Sequence, residues 1–478
     1  TVTINTDGVN DNKLLFTQSI NADSAASNRT LNLTAGIESI TLQSSVGATQ
    51  ALGNLSLTSN SVLLNGNTNL DLKVNTLIRL QTNTLALAGD SSGALIRLIG
   101  NVQVAANLLI NTLGTSGPGN NLEFTGTINA DSAANFDRTL TIQTGAGNVT
   151  FAANVGATQA FADLDISAGL IRLNQSSIVV NDGAGGQTMT FDGDVVVANN
   201  LTLNTDGAND NRQLFAKTIN ADSAASNRTL TFTAGSESVT LLGSVGASQA
   251  FSTLTFTSGS LLLRGDADQD ITATSLIRLQ TPTVSVTGNS TGSLLRFVGN
   301  VQLQENVTIT TTGATGPSNH LLFTGTVNAD NATTQDRTLV INAGTGTVTF
   351  QGIVGTASTT ALADLDITAA KIRFQTTRVA ITDGPGGATA TFAGQVEVAG
   401  NLTITGDGAA DNHLLFTDTI DADDAATQDR TLTITAGTAG SVQLNGNVGE
   451  TQALADLDVT GMRIQLLGAR YVVNDGAG

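Results

Sequence analysis

The chain has no cysteine and no tryptophan, and only four prolines in 478 residues. Lysine is nearly absent: Lys13, Lys73, Lys217 and Lys371 are the whole set. Each shortage excludes something. Without cysteine there are no disulfide staples, no thiolate nucleophile and no Cys-based metal site; a long repeat body needs no staples, so this absence does not assign a redox compartment. No apolar run approaches the 18 or more residues of a membrane helix, and helical spacing is not sustained anywhere. Charged residues make up 12%, about half the usual share of roughly 25%. They are mostly acidic, giving a net charge of -19, which repels nucleic acid and anionic headgroups and favours solubility. With so little proline, the turns must be made by glycine and asparagine, which tolerate positive φ.

What is present is 40% apolar residues, 51 glycines, and much Thr, Asn, Ser, Ala and Leu. Apolar residues alternate over short stretches such as Leu31–Leu33, Ile40–Leu42, Leu55–Leu57 and Leu85–Leu87. Period two marks strands with one face in and one face out, and these recur about every eight residues with Gly, Asn, Asp or Ser between them.

The chain also repeats itself with two nested periods. The segment Asn21–Leu31, centred on Arg29, returns around Arg138, Arg228, Arg337 and Arg430, at spacings of 109, 90, 109 and 93 residues. Long units carry Leu-Ile-Arg-Leu-Gln-Thr (Leu77–Thr82, Leu276–Thr281). Short ones carry an Asp-Gly turn (Asp182, Asp383, Asp475). The units run approximately 1–109, 110–199, 200–308, 309–401 and 402–478. Both ends fall inside a repeat: Thr1–Gly8 matches Asn200–Gly207, and Val473–Gly478 matches Val180–Gly185. The expectation is one continuous repeat segment of a longer protein.

Self-similarity on this scale predicts an all-β, elongated body that grows by addition. A parallel β-solenoid fits best. Long and short units differ by 109 minus 90 residues, which reads as one added coil of about 18 residues. The chain then holds roughly 25 coils, a rod on the order of 120 Å at about 4.8 Å per layer. A tandem β-sandwich array is the alternative.

Five Asp–Arg pairs recur: Asp23 with Arg29, Asp131 with Arg138, Asp222 with Arg228, Asp330 with Arg337 and Asp423 with Arg430. A carboxylate six or seven residues before a guanidinium suits a clamp across a loop; a ligand site shared by every unit is the other reading. Acidic loops at Asp7, Asn10 and Asp11, at Asp206, Asn209 and Asp210, and at Asp407 and Asp411 offer oxygens of the kind Ca²⁺ takes. The matching loops at Gly117-Pro118 and Gly316-Pro317 have no acid, so the stack does not require a metal. Asn and Asp at such turns usually serve the backbone.

His320 and His413 share one repeat position with Lys13, Asn121 and Arg212, and are expected to face solvent in loops. Phe16, Phe124, Phe215, Phe323 and Phe416 read as core. Arg264-Gly265-Asp266 spells an integrin-type tripeptide once only, as chance would. No Cys nucleophile, metal-binding His pair, phosphate loop or Ser/His/Asp set is present, and every acidic feature recurs, which suits a scaffold better than an active site.

The Val-Gly turns (Val46–Ala51, Val155–Ala160, Val245–Ala250, Val354–Ala361, Val448–Ala453), followed by strands such as Leu164–Ile166 and Leu457–Val459, resemble the β-strand repeats of giant bacterial surface adhesins. The broader likeness is to filamentous-haemagglutinin-type β-solenoids. The resemblance implies a right-handed parallel β-solenoid, export across the envelope, and a non-enzymatic role in adhesion or an extracellular fibre, with the chain itself as partner through end-to-end or lateral contacts. A Ca²⁺-dependent array binding glycans or other cells, and a carbohydrate-active β-helix, are the alternatives.

Overall fold

Short alternating strands with small polar residues between them fold here as stacked parallel strands. The computed structural model describes every residue except 25–27, 224, 226, 333, 383, 385, 386, 409, 410 and 475–478. Among the described residues there is no α-helix, and every strand pairing is parallel. The fold is a parallel β-solenoid of about 18 turns. No helix is long and apolar enough to cross a membrane.

Each turn contributes one strand position to each of three ladders. In the first unit, Thr1–Gly243, the first ladder runs Ile4, Leu33, Leu57, Leu80, Val104. The second includes Leu85, Ile110, Ile142, Ile166, Phe191 and Phe215. The third includes Leu72, Leu98, Phe124, Phe151, Leu173 and Val197. The second unit, Ser244–Gly478, repeats the plan, with Phe297, Phe323, Phe350 and Phe374 stacked in its third ladder at centroid distances of 5.4, 5.2 and 5.6 Å. Inward side chains of one turn thus lie on like side chains of the next. Strands such as Thr139–Gln143 alternate half-buried and buried positions, and each fully buried Leu, Ile, Val or Phe contributes roughly 1.5–3 kcal/mol. Interior strands are hydrogen-bonded on both sides, which satisfies the backbone.

The turn is longer than the sequence suggests. Register partners Leu57 and Leu80 are 23 residues apart, and Ile404 and Ile434 are 30 apart. That gives about 18 turns instead of 25. The sequence repeat is also not a whole number of turns. The strand after Arg29, Thr30–Thr34, sits in the first ladder, whereas the strand after Arg138, Thr139–Gln143, sits in the second. Counting strand positions, the long repeat is four and one third turns. The short repeat, Arg138 to Arg228, is three and two thirds, so together they make eight. The two repeat types therefore differ by two strand positions and not by one added coil. Successive copies of the same motif are rotated by one ladder, and the next copy restores the original face.

Long repeats also contain long bent strands, such as Leu52–Asn65 and Leu70–Ala88. At their bends Ser59 and Thr82 turn inward, and their hydroxyls donate to the carbonyls of Ser61 (3.0 Å) and Thr84 (3.1 Å), so a polar side chain is accommodated in the core.

Candidate functional site

The corners, where chain passes from one ladder to the next, hold many of the recurring polar residues. Three devices are built there.

The first is the Asp–Arg fork. In all five copies the arginine Nε and Nη2 donate to the two carboxylate oxygens of the aspartate. The distances are 2.8 and 2.6 Å for Arg29–Asp23, 2.8 and 3.0 Å for Arg138–Asp131, and 2.9 and 2.9 Å for Arg228–Asp222. They are 2.9 and 3.0 Å for Arg337–Asp330, and 2.8 and 3.2 Å for Arg430–Asp423. The structure therefore brings together every pair the sequence singles out. The first-turn pair is largely open, with side chains 54% and 61% exposed, whereas Arg138–Asp131 is covered to 18% and 13%. The Arg138, Arg337 and Arg430 bonds hold Asp131, Asp330 and Asp423 below the usual carboxylate range.

The second device joins the two most recognisable motifs. Asn21 Oδ1 accepts the Thr49 and Gln50 amides at 3.0 and 3.2 Å, and Asn129 Oδ1 accepts those of Thr158 and Gln159. Asp421 does the same for Thr451 and Gln452. The loop carrying the Asp–Arg pair is thus tied to the Val-Gly turn one turn later. Gln159 returns the contact, its Oε1 accepting the Ala133 amide at 2.8 Å. The glycine of that turn has positive φ, and a Cβ there would meet backbone: Gly47 and Gly156 would lie 2.1 Å from the carbonyl oxygens of Lys73 and Val179. Only glycine fits a strand-to-corner junction so close to the next turn.

The third device went unnoticed in the sequence. Asn120, Asn211, Asn319 and Asn412 are completely buried, and each spans three turns. Asn211 Nδ2 donates to the carbonyls of Ala162 and Val180, both at 3.2 Å, and its Oδ1 accepts the Gln187 amide at 3.0 Å. Asn412 makes the corresponding bonds to Ala363, Ile381 and Ala388. Asn319 reaches Gly265 and accepts from Thr291 and Ser293. The signal was there, because Asn12 and these four occupy one position in all five copies. An Asn-rich composition hid it.

The acidic loops neighbour these asparagines. Asp11 Oδ1 accepts the Gly8 amide at 2.8 Å and its Oδ2 the Ile37 amide at 2.7 Å. Asp210 bonds the Gly207 and Ser236 amides, and Asp411 those of Gly408 and Ala439. Those backbone N–H groups lower all three carboxyls. Asn209 Nδ2 donates to Gly183 O at 3.0 Å, while Asp7, Asn10 and Asp407 are exposed. Asp206 is raised by burial and by Asp210. Among the described residues no three His, Asp or Glu side chains stand together as a metal site.

Family models, curated proteins and solved structures give no match to this chain.

Other candidates sit apart from any site. His320 and His413 lie half-buried in strands His320–Phe323 and His413–Phe416, not in solvent-facing loops. Their Nδ1 atoms accept the Thr347 and Ser441 amides of the next turn at 2.9 and 3.0 Å. Asn121 does so for Asn148, so Asn and His fill the position with the same bond, whereas Arg212, which has no acceptor, donates to Glu237 at 3.1 Å. Phe124, Phe215, Phe323 and Phe416 are buried, and Phe16, on the first turn, is half-buried. Arg264 pairs with Asp266 of its own tripeptide. The sequence also gave no warning of Asp71–Arg97 and Asp270–Arg296, forks between register partners on adjacent turns. The Asp-Gly residues Asp383 and Asp475 lie outside the described residues.

Proposed function

We propose that the chain is a non-enzymatic structural segment: the β-solenoid shaft of an extracellular bacterial surface fibre or giant adhesin. The observation that carries this reading is how the recurring polar residues are used. The Asp–Arg forks, the buried asparagines and the loop aspartates Asp11, Asp210 and Asp411 spend their hydrogen bonds on neighbouring backbone or on each other. A binding or catalytic set leaves convergent polar groups free for a partner; a shaft uses them to fix turn on turn. The low lysine content, the acidic surface and the resemblance to adhesin repeats support the same reading.

The test is localisation combined with chemistry. Antibodies raised against this chain are expected to label intact cells of the producing organism along a surface fibre, and the purified chain is expected to leave acidic and neutral polysaccharides uncut. Labelling only after the cells are opened, or polysaccharide turnover that disappears on substituting one recurring aspartate, would overturn the proposal.

A further inference from the structure

The short repeats differ from the long ones by more than two strand positions. Where long repeats have Asn28 and Asn227 before the arginine, short repeats have Asp137 and Asp336. Where the first long repeat pairs Thr30 with Asn54, the short ones pair Thr139 with Asp163 and Thr338 with Asp364. A further carboxylate follows two residues on, at Asp165 and Asp366. The Asp-Gly corner then adds Asp182 in the first unit. Three acidic replacements thus recur together in both units, at one place in the fold.

That place is partly closed: Asp163, Asp165 and Asp182 are half-buried, while Asp137 is exposed. Asp163 Oδ1 and Asp182 Oδ2 are both shut off from solvent, and neither has a hydrogen-bond partner. The Asp182 amide donates to Phe161 O at 3.1 Å, which sets the corner against the start of the Asp163 strand. A side chain built on Gly183 would come within 3.0 Å of Ala162 Cβ and 3.5 Å of the Asp137 carboxyl carbon; the same position at Gly384 gives 3.2 Å to Ala363 and 3.6 Å to Asp336. Among the described residues, the charged groups around Asp163 are Asp137 and Arg138 from the turn before, Asp165 on its own strand and Asp182 from the following corner. Arg138, the one cation, is taken by Asp131. Around Asp364 the corresponding groups are Asp336, Arg337 and Asp366, with Arg337 held by Asp330; Asp364 differs in that its Oδ1 accepts the Leu365 amide at 2.9 Å.

We propose that the short repeats 110–199 and 309–401 each form an acid-tightened seam, in which Asp163 or Asp364 repels its acidic neighbours at neutral pH and becomes an uncharged hydrogen-bond donor in mildly acidic medium. Burial first, then the neighbouring Asp165 or Asp366, pushes both carboxyls up to about 6 from 3.8. A carboxyl raised in the folded state weakens folding above its folded pKa, and the loss is recovered as pH falls from about 6 towards 3.8. The last repeat supplies an internal control: Asp456 follows the same motif and pairs with Thr431, but it lies exposed. This inference stands independently of the proposed shaft function.

The test compares thermal midpoints of the full chain at pH 7.5 and pH 5.5. The unmodified chain is expected to melt a few degrees higher at pH 5.5. Lowering the pH also relieves the general self-repulsion of an acidic chain, so the exposed pair Asp7→Asn with Asp407→Asn serves as a charge-matched control and is expected to keep most of the shift. Asp163→Asn with Asp364→Asn is expected to lose most of it, and to melt at or above the unmodified chain at pH 7.5. An unchanged pH shift in that variant overturns the proposal. If that variant does not fold, Asp165→Asn with Asp366→Asn is expected to move the midpoint of the pH response downwards, and an unmoved midpoint is equally contrary.

Discussion

Asn211 and Ala162 are separated by 49 residues and two turns, yet the Asn211 amide donates to the Ala162 carbonyl at 3.2 Å, inside a corner closed to solvent. The same side chain also binds the turn between them. Asn211→Ala leaves two buried carbonyls and one amide without partners, so a loss on the order of 3 kcal/mol or more is expected. Asn211→Asp offers no donor to those carbonyls and buries a charge, so it is expected to be at least as damaging at neutral pH. Denaturant unfolding of both variants checks this. Asn12→Ala, at an exposed side chain, is expected to cost far less.

Gly156 has φ 67°, and a Cβ there would sit 2.1 Å from Val179 O. Gly156→Ala is expected to push the following turn away from the Val-Gly corner. Amide exchange at Val179 and Val180 should quicken before global stability falls. The substitution Gly186→Ala, at φ 74° but with open space around it, isolates the backbone strain from the clash and is expected to disturb those amides little.

The Asp–Arg forks recur five times but are not equal. Arg138→Met is expected to cost about 1–2 kcal/mol, because its fork is largely covered and leaves Asp131 without its counter-charge. Arg29→Met, at the open first turn, is expected to leave the thermal midpoint unchanged.

Strong acid acts in the opposite direction to the mild acidity considered above. The lowered carboxyls of Asp131, Asp330 and Asp423 contribute stability that is present above their ordinary value of 3.8 and lost as pH falls through their lower folded values. The thermal midpoint is therefore expected to fall as the pH drops below 3.8. Replacing the three arginines of these forks should flatten that limb.

The strands were legible in the sequence because period two survives in nearly every one, from Leu31–Leu33 to Leu457–Val459, and a parallel stack follows from their even spacing. The Asp–Arg partners were legible too, because both members stay within one corner. The length of a turn was not. The 19-residue difference between repeats looked like a coil, but corners vary in length. Only the ladders show that Leu31 and Leu140, which hold equivalent repeat positions, face different sides. The buried asparagines were hidden for a related reason: their partners are 24 to 54 residues away, and nothing local separates Asn211 from the many asparagines that merely serve a turn.

The account rests on turns held one by one to their neighbours, and pulling a single chain by its ends tests that most directly. Turns of 22 to 32 residues predict extension steps of about 70–115 Å or small multiples of them, with the resisting force lowered at the affected turns by Asn211→Ala. Steps of about 300–390 Å, matching separate domains of 90 to 109 residues, or a step pattern that Asn211→Ala leaves untouched, would contradict it.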